Sequence, residues 1–152
     1  MNNKSTLFRQ TLVKGNHEEV WKFFSTPLNL SRITPPDMGF KIKTELLPED
    51  IHEGLLIKYI VRPAYRIPTT WVTKIASVSE GEYFVDTQIK GPYKHWEHSH
   101  VFERTDGGVL MTDHVVYELP GGPIGKVADG WVSKRLDFIF DFREKAIQEI
   151  FN

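Results

Sequence analysis

Cysteine is absent from the 152-residue chain. Disulfides, thiolate-held metals and cysteine nucleophiles are excluded with it, and a reducing cytoplasm is the expected location. A charge imbalance is missing too: 19 Lys and Arg meet 20 Asp and Glu, for a net charge of −1. A nucleic-acid partner needs a basic stripe, so none is expected. No apolar run approaches the length of a membrane span, which argues against integral membrane association. The start, Met1-Asn-Asn-Lys-Ser-Thr6, has no apolar signal core. No Gly-x-Ser-x-Gly elbow surrounds any serine, so nucleophilic catalysis has little support. Gly121-Gly122-Pro123 lacks the spacing of a phosphate loop and reads as a flexible entry to the last element. Repeats, low-complexity tracts and linkers are missing, so residues 1–152 are read as one domain.

Aromatic residues are plentiful, at 12% of the chain. The stretch Gly91-Pro-Tyr-Lys-His-Trp-Glu-His-Ser-His-Val-Phe102 shows how they are used. Residues two apart in a strand share a face. Trp96, His98, His100 and Phe102 therefore project to one side, and His95, Glu97, Ser99, Val101 and Glu103 to the other. Two imidazoles on the more apolar face are costly to bury without partners. That face borders either a hydrated cavity or a satisfied polar network.

The remaining pattern is β-α-α, then about six strands, then one long helix. Thr6–Val13 reads as the first strand. Asn16 caps a helix with Glu19 three residues on, and Val20, Trp21, Phe23 and Phe24 supply its apolar side. Pro27 opens a second short helix to Ile33. Strands are expected over Phe40–Leu46, Gly54–Arg62 (ended by Pro63), Ile67–Ser79, Tyr83–Lys90, His95–Arg104 and Val109–Leu119. The final helix, Ile124–Phe151, carries Ala128, Val132, Leu136, Ile139, Phe140, Ile147 and Ile150 at helical spacing, with Arg143 in the same stripe. Trp21 and Trp131 read as helix packing.

Two turns predict the register. A two-residue turn at Asp106-Gly107 makes Phe102 oppose Met111, His100 oppose Asp113, His98 oppose Val115 and Trp96 oppose Tyr117. A two-residue turn at Glu80-Gly81 makes Ile75 oppose Asp86, Thr73 oppose Gln88 and Ser77 oppose Phe84. One face then collects Trp71, Phe84, Trp96, Phe102, Met111 and Tyr117 as apolar walls. Asp86, Gln88, His98, His100 and Asp113 form a polar band across them. A dry core seldom holds such a band, whereas a ligand pocket does.

These residues resemble the START-like superfamily, also called SRPBCC or Bet v 1-like. The marks are Arg66-Ile-Pro-Thr-Thr-Trp71, Phe84-Val-Asp86, Gly91-Pro-Tyr-Lys-His-Trp96, His98-Ser-His100-Val-Phe102 and Asp113-His-Val-Val-Tyr-Glu-Leu-Pro120. They look like an uncharacterised bacterial branch often labelled polyketide cyclase/dehydrase-like. The resemblance implies an α+β helix-grip fold: a curved antiparallel sheet of six to seven strands around a long C-terminal helix, with two short helices after the first strand. It also implies binding of a small hydrophobic molecule, with no cofactor. The walls and the polar band named above are the expected ligand-binding residues.

Each polar feature also has a plainer reading. His100 and Asp113 suit a general base with its orienting carboxylate, but a structural cross-strand pair is favoured. His98 and His100 with Asp113 or Asp86 imitate a two-His-one-carboxylate metal site, yet His-x-His is short and common, and no metal is expected. Arg143 either enters the cavity or snorkels to solvent. The rival functions are a cyclase or dehydratase using His98 or His100 as acid–base with Asp113 or Asp86 tuning it, and a surface interaction module of chaperone-activator type.

Overall fold

Alternation along the strands sets the architecture. In a computed structural model describing residues 3–62 and 67–152, seven strands form one antiparallel, curved sheet. They are β1 (Lys4–Val13), β2 (Lys41–Ile42), β3 (Leu56–Val61), β4 (Thr69–Ser79), β5 (Tyr83–Lys90), β6 (His95–Thr105) and β7 (Gly108–Glu118). Their order across the sheet is β1-β7-β6-β5-β4-β3-β2. Pro63 and Arg66, used in reading the sequence, lie outside the described residues.

Asn16 caps α1 (His17–Phe24), accepting a hydrogen bond from the Glu19 N–H at 2.8 Å. Val20, Phe23 and Phe24 turn inward from this helix. Pro27 opens a short 3-10 helix, Pro27–Ile33. The chain closes with α2 (Pro123–Val127) and α3 (Asp129–Ile150). Leu136, Phe140, Arg143 and Ile147 are the buried stripe of α3, and Val132 and Ile139 pack beside it. Arg9 of β1 pairs with Asp137, Asp141 and Glu144, which ties the outer flank of α3 to the edge strand. Among the described residues no helix is long and apolar enough to cross a membrane.

The β6–β7 hairpin has the predicted register throughout, from His95 opposite Glu118 to Thr105 opposite Gly108. Other expectations are corrected. The turn between β4 and β5 has three residues, because Ser79 opposes Tyr83. Ser77 accordingly faces Val85, not Phe84. A bulge between Ile75 and Ser77 then restores the register, so Ile75 does oppose Asp86 and Thr73 does oppose Gln88. The strand expected over Phe40–Leu46 shrinks to Lys41–Ile42. Thr44 explains the early end: its hydroxyl accepts the Lys58 N–H at 2.8 Å in place of a backbone carbonyl.

The single last helix is two. The Ala128 N–H closes a tight turn on the Gly125 carbonyl at 3.0 Å, and Ala128 is exposed instead of lying on the buried stripe. Gly125 is packed so closely that a Cβ there would lie 2.1 Å from the Pro120 carbonyl oxygen. Trp21 does pack, edge-on against Phe84 and Phe102. Trp131 is 51% exposed.

Candidate functional site

The inward row of β6 runs Trp96, His98, His100, Phe102, all buried. The inward row of β7 runs Met111, Asp113, Val115, Tyr117, also buried. Asp86 on β5 and Arg143 on α3 complete a polar cluster inside an otherwise apolar interior.

Hydrogen bonding in the cluster does not follow the backbone pairing. His100 lies opposite Asp113, and Asp86 opposite His98. Yet His98 Nε2 donates to Asp113 Oδ1 at 2.7 Å, and His100 Nε2 donates to Asp86 Oδ2 at 2.7 Å. Each carboxylate thus takes its diagonal neighbour, which a twisted sheet brings within reach of long side chains. The base-and-carboxylate pair expected as His100–Asp113 is therefore corrected to His100–Asp86, with His98–Asp113 behind it. The two imidazoles stack, with centroids 3.7 Å apart, and Phe84 stacks on His100 at 4.0 Å.

Charges balance incompletely. Arg143 Nη2 lies 3.9 Å from Asp113 Oδ1, and its guanidinium sits over the rings of Phe24 and Phe140. Burial alone would raise the Asp113 carboxyl. Arg143 and the His98 hydrogen bond outweigh it and hold Asp113 well below the usual carboxylate range. Asp86 is likewise lowered: burial opposes, but the hydrogen bond from His100 and the neighbouring His98 prevail. His100 goes the other way from a surface imidazole. Burial, helped by His98, depresses it to about 4 despite Asp86, so it is neutral at pH 7. Burial also raises the Tyr59 hydroxyl, with the Asp86 charge adding to it.

Two adjoining cavities open on this cluster, of about 90 and about 140 Å³. Leu30, Ile33, Tyr59, Asp86, His100 and Arg143 line both. Phe84 borders the smaller; Trp71, Trp96 and His98 border the larger. Seven residues expected at the site are thereby brought to a cavity wall or its polar edge: Trp71, Phe84, Asp86, Trp96, His98 and His100 directly, and Asp113 through His98.

Four others serve elsewhere. Gln88 clamps the bend after β5, donating to the Tyr93 carbonyl at 2.6 Å and accepting its N–H at 3.1 Å. A Cβ on Gly91 would sit 2.5 Å from the Gln88 amide oxygen, so a larger residue there would displace this clamp. Phe102 packs with Trp21 and Phe24, and Met111 is 1% exposed beside it. Tyr117 packs against Tyr93 and Trp96. None of these four lines either cavity.

Several lining residues escaped the sequence reading. Tyr59 alternates with Ile57 and Val61 in β3, and that alternation was a usable signal. Leu30 and Ile33 come from the 3-10 helix, where they share one face with Pro27 at three-residue spacing, a period too brief in a seven-residue segment to stand out. Arg143 was flagged by its place in an apolar stripe, and the structure resolves it inward.

The fold aligns with solved structures over nearly its whole length. Ginseng major latex-like protein 151 from Panax ginseng gives a TM-score of 0.72 at 15% identity, covering 99% of each chain. A protein from Chromobacterium violaceum gives 0.65 at 18% identity, covering 99% of this chain and 98% of that one. The nucleoside-diphosphate sugar epimerase from Corynebacterium glutamicum gives 0.66 at 23% identity over 94% of this chain but 28% of the epimerase. No protein-family model matches the chain, and no curated protein matches its sequence. A curved antiparallel sheet gripping a long C-terminal helix is the helix-grip arrangement. In fold the chain is Bet v 1-like.

Proposed function

We propose that the protein binds a small hydrophobic molecule in the paired cavities between the sheet, the 3-10 helix and α3. The observation that carries this reading is the wall itself: aliphatic and aromatic side chains around one convergent polar cluster. That is the usual make-up of a ligand site. The volume bounds the ligand. An apolar cavity of roughly 150 Å³ holds a benzene-sized molecule, so each compartment of about 90 or 140 Å³ suits a single ring or a short chain. Asp86 and His100 face the polar end of such a ligand, and Arg143 neighbours them. Bet v 1-like neighbours support a ligand-binding fold.

The acid–base reading keeps one specific support. His100, neutral at pH 7 and bonded to Asp86, stands on the wall of both cavities. A neutral imidazole held by a carboxylate is a general-base arrangement.

Titration with benzene- and phenol-sized probes, read by calorimetry, tests the binding proposal. Saturable one-to-one binding is expected, and Leu30→Trp, which adds bulk to the wall shared by both compartments, should weaken it about tenfold or more while circular dichroism stays native. Binding left unchanged by added bulk on this shared wall would move the site elsewhere. His100→Gln separates the two readings. Probe affinity should change by roughly tenfold or less for one hydrogen bond. A turnover loss of about 100-fold or more on a real substrate, with binding intact, would favour the enzyme.

A further inference from the structure

Two imidazoles stand between two carboxylates, and the four groups are ordered front to back. In front, Asp86 Oδ2 faces His100 Nε2 at 2.7 Å and His98 Nδ1 at 4.0 Å. Behind, Asp113 Oδ1 faces the opposite nitrogens, His98 Nε2 at 2.7 Å and His100 Nδ1 at 3.6 Å. One ring nitrogen of each histidine thus turns to Asp86, and the other to Asp113. The front atoms all lie within 4.8 Å of one another.

We propose that Asp86, His98 and His100 form a binding site for a divalent transition-metal ion, with Asp113 as the outer carboxylate that orients both imidazoles.

Four features support the site. First, the donor set is two imidazoles and one carboxylate, which suits Zn²⁺, Fe²⁺ or Co²⁺ and not Ca²⁺ or Mg²⁺. Second, a ligating histidine normally donates its other N–H to a carboxylate or carbonyl. The His98 Nε2–H bond to Asp113 already does this and leaves the Nδ1 lone pair toward Asp86. Third, His100 Nδ1 is buried without a hydrogen-bond partner. Ligation through Nε2 places the ring proton on Nδ1, which faces Asp113 Oδ1 at 3.6 Å, so a shift of a few tenths of an ångström gives the orphaned atom an acceptor. Fourth, two carboxylates meet one guanidinium here, which leaves negative charge for a cation to balance.

The distances require only local adjustment. Ligand atoms each about 2.1 Å from a common ion stand about 3 to 3.5 Å apart. The present 2.7 and 4.0 Å bracket that range. Asp86 and His100 line both cavities and His98 the larger, so the remaining coordination positions face space that a water or ligand can enter. Three protein ligands with an open position is the pattern of a reactive site, not a structural one.

The test uses the full chain without a histidine tag, stripped by chelator and titrated with Zn²⁺ and Co²⁺. One equivalent should bind with micromolar or tighter affinity and raise the melting temperature. Zn²⁺ should shift the ring ¹⁵N resonances of His98 Nδ1 and His100 Nε2, and leave His17, His52, His95 and His114 unmoved. Asp86→Asn and His100→Gln should each weaken binding by about 100-fold or more, and Asp113→Asn by about 10- to 100-fold. His114→Gln on the outer face should change nothing. The wild-type ¹⁵N experiment decides the matter even if a variant misfolds. No saturable binding up to millimolar ion, or shifts confined to the other histidines, overturns the proposal. Neither result touches the apolar-probe titration, which is done with chelator present.

Discussion

Adjacent inward rungs of the β6–β7 hairpin obey opposite rules. Phe102 and Met111 face each other on one rung, 3% and 1% exposed, in a dry cluster with Trp21 and Phe24. His100 and Asp113 face each other on the next, 4% and 2% exposed, and neither bonds the other. Burial is the same on both rungs, but its basis differs. The apolar rung is held by area and close packing, which are indifferent to pH and partner identity. The ionic rung is held only while each charge keeps its partner, since a stranded buried charge is costly. The two interior cavities open at the second rung and not at the first.

Substitution should separate the two rungs most sharply through stability. Phe102→Ala is expected to cost about 3–5 kcal/mol by urea unfolding, alike at pH 7 and pH 5, and to leave the affinity of apolar probes unchanged. Asp113→Ala should cost a similar amount, about 3–5 kcal/mol, because it strands Arg143. Here replacing both charged partners, as in Asp113→Leu with Arg143→Leu, should recover part of the loss. A double variant no better than Asp113→Ala alone would show that the rung is held by shape, as its neighbour is.

Acid should sharpen the contrast. His100 is lowered from 6.5 to about 4. Between those values the unfolded chain takes up a proton that the folded chain refuses, so stability falls as pH drops through that window. The loss is on the order of 2–3 kcal/mol for a shift of this size. Asp113 and Asp86 are lowered, so their contribution persists above the ordinary carboxylate value and is lost only in stronger acid. Urea midpoints at pH 7 and pH 4.5, with chelator present, measure this. His100→Gln should flatten the slope, and an unchanged slope would assign the proton uptake to another group. The smallest effect is expected at the rim: Arg9→Ala, with its acidic partners largely solvated, should cost about 1 kcal/mol or less.

Much of this contrast was legible before any coordinates. Alternation on β6 put Trp96, His98, His100 and Phe102 on one face, and a two-residue Asp106-Gly107 turn aligned them with β7. Both signals are local, and a two-residue period leaves one choice of face. The β4–β5 pairing shows the limit. Its turn was one residue longer than read, and the bulge after Ile75 compensated, so Asp86 reached its expected place for a reason the sequence did not display.

The sequence by itself determined which residues turn inward, that two histidines and two aspartates share that face, and that a long amphipathic helix covers it. These follow from backbone periodicity and turn chemistry, which depend on near neighbours. Tertiary structure alone decided which aspartate each histidine bonds, because sheet twist brings the diagonal neighbours together. It also decided that Arg143 reaches across from α3 to Asp113, and that the space left over is two small compartments, not one large pocket. Those outcomes rest on the angles and gaps between packed elements, where shifts of an ångström change the partner, and no periodicity along the chain encodes them.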